Sequence, residues 1–156
     1  MRIYWTNNFL KGNLGMMARP RGNEWLEDDI KKLSFTNTST VVSLLERNEE
    51  EELDILREKE YCLKYDIEFI SFPIKDRGLP IDRNSFNDLA NLLYQKIIEG
   101  EKVVIHCRMG IGRTSVLVAT VLLIDEPDNN NVFDFLSGVR TLKVPDTEQQ
   151  VKWTLE

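Results

Sequence analysis

One short stretch holds the residue types that could do covalent chemistry: His106-Cys107-Arg108-Met109-Gly110-Ile111-Gly112-Arg113-Thr114-Ser115. An ionised cysteine sulfur is a strong nucleophile, and a guanidinium is a planar fork that can grip two oxygens of a phosphate. Five residues lie between Cys107 and Arg113, so Arg113 can return across a tight loop. Gly110 and Gly112 permit backbone angles that a side chain would forbid. A loop that closes onto a helix N-terminus aims amide N–H groups at one point and adds the positive end of the helix dipole. A dianionic phosphoryl group fits such a nest. The same field favours a thiolate: cysteines so placed have pKa values of roughly 3.5–7.5. Cys107 is therefore expected to be an anionic nucleophile, aimed at a phosphorus held by the amides of Arg108, Met109, Gly110, Ile111, Gly112 and Arg113.

The elements that must position this loop are legible on both sides of it. Val103 to Ile105 is a short continuous apolar run, the pattern of a central parallel strand. Ser115 to Ile124 is almost wholly apolar, which suits a helix buried on all sides. It is too short to span a bilayer, which takes about 20 such residues. A merely structural cysteine would leave Arg113 inside an apolar element without a partner, and unpaired buried arginines are rare.

The strand-loop-helix carrying His106-Cys107, five residues and then Arg113-Thr114 resembles the signature of the cysteine-dependent protein tyrosine phosphatases. Within them it is most similar to the small dual-specificity branch that includes the cyclin-dependent kinase inhibitor 3-type enzymes. The resemblance implies hydrolysis of phosphotyrosine proteins, with phosphoserine and phosphothreonine as further substrates, through a phosphocysteine and without a metal or other cofactor. It implies that the Thr114 hydroxyl helps cysteine leave in the second step, and that His106 orients the loop and tunes the thiol. It also implies a general acid on a mobile loop after the preceding strand. Asp76, 31 positions before Cys107 in Pro73-Ile74-Lys75-Asp76-Arg77-Gly78-Leu79-Pro80, fits by context and spacing. A leaving alkoxide or phenoxide needs a proton as its P–O bond breaks, and a carboxylic acid can supply it and then take one from water. Asp82 is the second candidate, though it suits a helix cap. Thr147 and Gln150 are spaced as a capping box; in tyrosine-specific relatives a glutamine from this region helps place the hydrolytic water, so both roles stand for Gln150.

Composition narrows the alternatives. The chain has 156 residues, one domain's worth, with a net charge of −6 and 42% hydrophobic residues. The acidic balance argues against non-specific binding to nucleic acid or to an anionic membrane. The first residues, Met1 to Asn7, show no signal-peptide pattern, and two cysteines suit a reducing compartment, so a cytoplasmic monomer is expected. A single histidine and the lack of a Gly-x-Ser-x-Gly elbow leave little room for Ser-His-Asp catalysis or a His/Cys zinc site. Four competitors remain. A phosphoinositide phosphatase often carries lysines in the loop, where this chain has only Arg108. An RNA 5′-phosphatase would want a basic trough, a rhodanese-like sulfurtransferase needs no acid such as Asp76, and a phosphoprotein-binding module would not need the intact trio.

Along the chain, Ile3 to Thr6 reads as an edge strand and Gly12 to Gly22 as a glycine-rich loop bearing the solvated Arg19 and Arg21. Asn23 opens a helix with Leu26, Ile30 and Leu33 as its apolar stripe, and Thr40 to Leu45 reads as a buried strand. The acidic run Glu49 to Glu52 reads as the solvated start of a helix capped by Asn48, which continues to about Tyr65 over core positions Leu53, Leu56 and Leu63. Cys62 on it is a core residue or a redox partner for Cys107. A strand from Glu68 to Ile74 follows, then a helix from Ser85 to Glu99 closed by Gly100. After Pro127, an amphipathic helix uses Val132, Phe135, Leu136 and Val139, and a last helix opens near Thr147. This order predicts an α/β fold: a mostly parallel twisted sheet with helices on both faces and the site beyond the strand carboxyl ends.

Overall fold

Strand β5 (Lys102–His106), whose buried face-to-face run was legible in the sequence, is the middle strand of a five-stranded sheet. The structure, a computed structural model, describes residues 1–156. The other strands are β1 (Tyr4–Trp5), β2 (Asn13–Met17), β3 (Thr38–Ser43) and β4 (Glu68–Ser71), in the order β1-β2-β5-β3-β4. Only the β1–β2 pair is antiparallel. The register brings Met17 and Ser43 beside His106, so β2, β3 and β5 end together and Cys107 emerges beyond their carboxyl ends.

Side-chain alternation along β5 supplies two cores. Val103 and Ile105 join the larger one, under α4 (Arg83–Ile98), α5 (Gly112–Leu122), α6 (Val132–Arg140) and α7 (Glu148–Leu155). Val104 joins the smaller one on the opposite face, under α1 (Leu26–Phe35) and α3 (Glu58–Lys64). The short α2 (Arg47–Glu52) lies between β3 and α3 in sequence. Helices thus cover both faces, and the mixed, mostly parallel sheet is the expected α/β architecture. No helix is long and apolar enough to cross a membrane.

Several local expectations are corrected. Gly12 to Gly22 is not a loop throughout: it contains β2, whose Leu14, Met16 and Met17 are fully buried. Gly15 marks a close approach, because a Cβ there would meet the Ile3 side chain at 2.6 Å and the Trp5 ring at 2.9 Å. Asn23 begins a single 3₁₀ turn, Asn23–Trp25, and α1 follows it with Leu26, Ile30 and Leu33 buried as expected. The helix read from Glu49 to Tyr65 is two helices, α2 and α3, with Asp54 between them at φ 55°. The break rotates the second helix, so Ile55 and Cys62 enter the core while Leu56 and Leu63 face solvent and Leu53 is half-buried. Asn48 does not cap α2; the Glu49 carboxylate accepts from the Glu46 N–H at 2.9 Å instead. In α6 Phe133 is buried and Phe135 is not.

Candidate active site

The loop from Cys107 to Ile111 joins β5 to α5, and Cys107 is 3% exposed. Its conformation is fixed from three sides. Gly110 has φ +72°, and a Cβ there would lie 2.3 Å from the Met17 carbonyl oxygen at the end of β2. At Gly112 a Cβ would lie 2.1 Å from a carboxylate oxygen of Asp146. Arg140, at the end of α6, donates to the carbonyls of Met109 (2.8 Å) and Gly110 (3.2 Å) while its guanidinium stacks 4.2 Å from the centre of the Tyr4 ring. With those carbonyls engaged, the amides of Arg108 to Arg113 donate to no acceptor in the protein. They join the unpaired N–H groups that any helix start presents and form the nest a phosphoryl group requires.

Arg113 is held rigidly across this nest. Its Nη1 and Nη2 donate to the two carboxylate oxygens of Glu49 at 2.8 and 2.9 Å. Nη1 also donates to the Ile74 carbonyl at 2.9 Å, and Nη2 to Asp76 at 3.1 Å. Nε makes no hydrogen bond in the protein, which leaves it for a ligand. Burial pulls the Arg113 pKa down, but the Glu49 hydrogen bonds and the charges of Cys107, Glu49 and Asp76 outweigh it and the net direction is up. Burial likewise pushes Glu49 up, and its bonds to Arg113 and the Glu46 amide, with the charges of Arg113 and Arg108, bring it below the usual carboxylate range. The acidic run is thus not simply a solvated helix start: Glu49 is 5% exposed because it is the counter-ion of Arg113. Glu52 and Glu49 also engage Arg108, at 3.0 and 3.7 Å.

His106 is fully buried beneath the loop. Its Nδ1 lies 3.1 Å from the Cys107 carbonyl, which can only accept, and its Nε2 lies 2.6 Å from buried Glu58. Both ring nitrogens therefore face acceptors when Glu58 is ionised, the pattern of an imidazolium. Desolvation works against that charge, but Glu58 outweighs it and the His106 pKa is raised. The Thr114 hydroxyl is buried without any partner. Ser115 Oγ donates back to the Ile111 carbonyl within the first turn of α5.

Asp76 sits on the loop between β4 and α4, with its side chain 55% exposed. The structure thus brings Asp76, Arg113 and the loop together. Asp82 instead caps α4, accepting from the Asn84 amide at 3.0 Å. Gln150 is fully buried: its oxygen accepts from the amides of Asp146 (3.0 Å) and Thr147 (3.1 Å), and its nitrogen donates to the Gly78 carbonyl (3.2 Å). The capping box with Thr147 is present. Cys62 packs in the core on the face opposite Cys107, where burial pushes its thiol up. No group of His, Cys, Asp and Glu side chains is placed to hold a metal ion. Sequence reasoning missed Glu49, Glu58 and Arg140; the one local signal was the acidic run, which names carboxylates but not their buried partners.

A family described as a polymorphic toxin system DSP-PTPase phosphatase matches residues 14–126. A tyrosine phosphatase, 067L of Invertebrate iridescent virus 3, is 41% identical over 59 residues, 35% of this chain and 24% of that protein; the match spans about a quarter of that relative's length. Among solved structures, kinase associated phosphatase with its catalytic-site cysteine replaced by serine superposes with a TM-score of 0.89 at 21% identity, covering 99% of this chain and 92% of the other. PTPMT1 superposes with a TM-score of 0.78 at 15% identity, covering 98% and 91% of the two chains. At these identities the two superpositions speak to the fold.

Proposed function

The chain belongs to the DSP-PTPase phosphatase family of polymorphic toxin systems, and from that premise we propose that it hydrolyses phosphotyrosine in proteins, with phosphoserine and phosphothreonine as further substrates, through a phosphocysteine. The observation that carries this reading is the pairing of a nearly buried Cys107 with a nest of unpaired amides and an Arg113 whose Nε is unused. In the first step the Cys107 sulfur attacks phosphorus, and the electron pair of the breaking P–O bond goes to the leaving oxygen. The amides of Arg108 to Arg113 and the Arg113 fork hold the equatorial oxygens as charge redistributes over them. Glu49 keeps the fork aimed, so no reorganisation is needed at the moment of reaction. Asp76 delivers the proton to the leaving oxygen, leaving its contact with Arg113 as the phosphoryl group takes that guanidinium edge.

In the second step water attacks the phosphocysteine and sulfur leaves as thiolate. The buried, partner-free Thr114 hydroxyl is available to donate to that sulfur, and the His106–Glu58 pair sets the loop carbonyl and places positive charge below it. PTPMT1 has been solved in complex with PI(5)P, which keeps a lipid phosphomonoester as the second substrate class to assay. Against it here, the loop cation Arg108 is already engaged by Glu52 and Glu49. The test is a panel of phosphotyrosine and phosphothreonine peptides, phosphoinositide and RNA 5′-phosphate in chelator, with Cys107→Ser as the control. Turnover of phosphotyrosine peptide that Cys107→Ser abolishes is the expected result; surviving activity in that variant would end the covalent route.

A further inference from the structure

The second step needs a group to take a proton from the attacking water, and Gln150, for which both capping and water placement stood open, is occupied. Gln150 spends both oxygen lone pairs on the Asp146 and Thr147 amides and points its nitrogen at Gly78. What those bonds do is fix Asp146. Its carboxylate lies against Gly112, at the start of α5 and next to Arg113: the space a Gly112 Cβ would fill is taken by Asp146 Oδ2, 2.1 Å away, with Cγ at 2.8 Å. Gly112 is thus what allows this carboxylate to reach the loop. The Asp146 carboxylate makes no hydrogen bond or ion pair in the protein and is open to solvent.

We infer that Asp146 is the base that resolves the intermediate, accepting a proton from the water that attacks the phosphocysteine, while Asp76 serves the leaving group in the first step. The phosphorus–sulfur bond breaks with its electron pair going to Cys107. The water oxygen bonds to phosphorus, one of its protons passes to Asp146, and hydrogen phosphate departs. Asp146 then returns the proton to solvent. The assignment rests on the phosphocysteine route proposed above, and it divides two proton transfers between two carboxylates.

Rapid-quench kinetics with p-nitrophenyl phosphate separates the steps, since nitrophenolate release reports the first and phosphate trapped on the denatured protein reports the intermediate. Asp146→Asn and Asp146→Ala should give a stoichiometric nitrophenolate burst, accumulated phosphocysteine and a kcat lowered by on the order of 10². KM should fall in proportion, leaving kcat/KM unchanged. Asp76→Asn should do the reverse on a poor leaving group, lowering kcat/KM without trapping phosphate. A residue that merely shaped the loop would move kcat/KM and trap nothing. Unchanged kcat in both Asp146 variants, or kcat and kcat/KM falling together without trapped phosphoenzyme, overturns the assignment. Failure of the phosphocysteine route is a separate outcome: no phosphate on Cys107 in any variant, with activity persisting in Cys107→Ser.

Discussion

The Glu49–Arg113 pair shows how strongly one buried contact constrains the site. Both side chains are almost fully enclosed and joined by two hydrogen bonds. Removing one partner of such a pair typically costs about 3–5 kcal/mol, because the other charge stays buried. Glu49→Gln should therefore lower the unfolding free energy read from urea titration by an amount in that range and reduce kcat/KM, as the fork loses its aim; a stability change under about 1 kcal/mol would mean that solvent screens the pair. Asp76 is different. Its side chain is half exposed on a loop, so Asp76→Asn should leave the urea midpoint nearly unmoved while slowing turnover of a poor leaving group by on the order of 10²–10⁴. Two titrations at the site contribute to the stability profile. His106 has a raised pKa in the folded chain, so its contribution is complete below its ordinary value near 6.5 and is lost as pH rises through the folded value. Glu49 is depressed, so its contribution is present above about 4.3 and is lost as pH falls through the folded value. Thermal unfolding should accordingly be most resistant between roughly pH 5 and 6.5. Glu58→Gln should flatten the alkaline side of that profile; if the alkaline decline persists unchanged, another group causes it.

At the scale of elements, the strand-loop-helix is local and was legible because each part announces itself: the apolar β5, the loop glycines and the apolar α5. Gly110 is the most exacting position. Gly110→Ala would place a Cβ at φ +72° and 2.3 Å from a backbone oxygen of β2, which cannot swing aside. Strained backbone of this kind costs about 1–3 kcal/mol, so the variant should lose that much stability and most of its phosphate affinity, as read by equilibrium unfolding and by titration with inorganic phosphate. Retained affinity would show that the loop tolerates another path. The parts that were not legible depend on residues distant in sequence. Glu58 and Glu49 lie 48 and 64 positions from the side chains they serve, and a carboxylate in an acidic run looks solvated until its partner is known. Strand β2 was hidden for the same reason: Gly15 looks like a turn residue but is there because the Trp5 ring lies over it. Arg140 carries no local motif at all; only the fold shows that α6 ends against the loop carbonyls.

For the molecule as a whole, the site is where the carboxyl ends of four parallel strands meet. Strand β2 leads to Arg19, whose amide donates to the Arg108 carbonyl at 3.2 Å; β3 leads to α2 and Glu49; β4 leads to Ile74 and Asp76; and β5 leads to Cys107. Strand ends in an open parallel sheet leave unpaired groups and a crevice between diverging connections. Here α6 and α7 close that crevice from the far end of the chain, through Arg140 and Gln150. An oxyanion bound at Arg113 would tie all of these connections to one point, so binding should be felt as global stability. Inorganic phosphate at about 100 times its Kd should stabilise the protein by roughly 2.7 kcal/mol, visible as a raised Tm. Cys107→Ser should keep that increment, because the amides and the guanidinium remain. Arg113→Met should start from a lower Tm, with Glu49 left buried without the two hydrogen bonds of the guanidinium, and gain almost nothing from phosphate. An equal phosphate increment in Arg113→Met would place the anion somewhere other than the point where the strand ends converge.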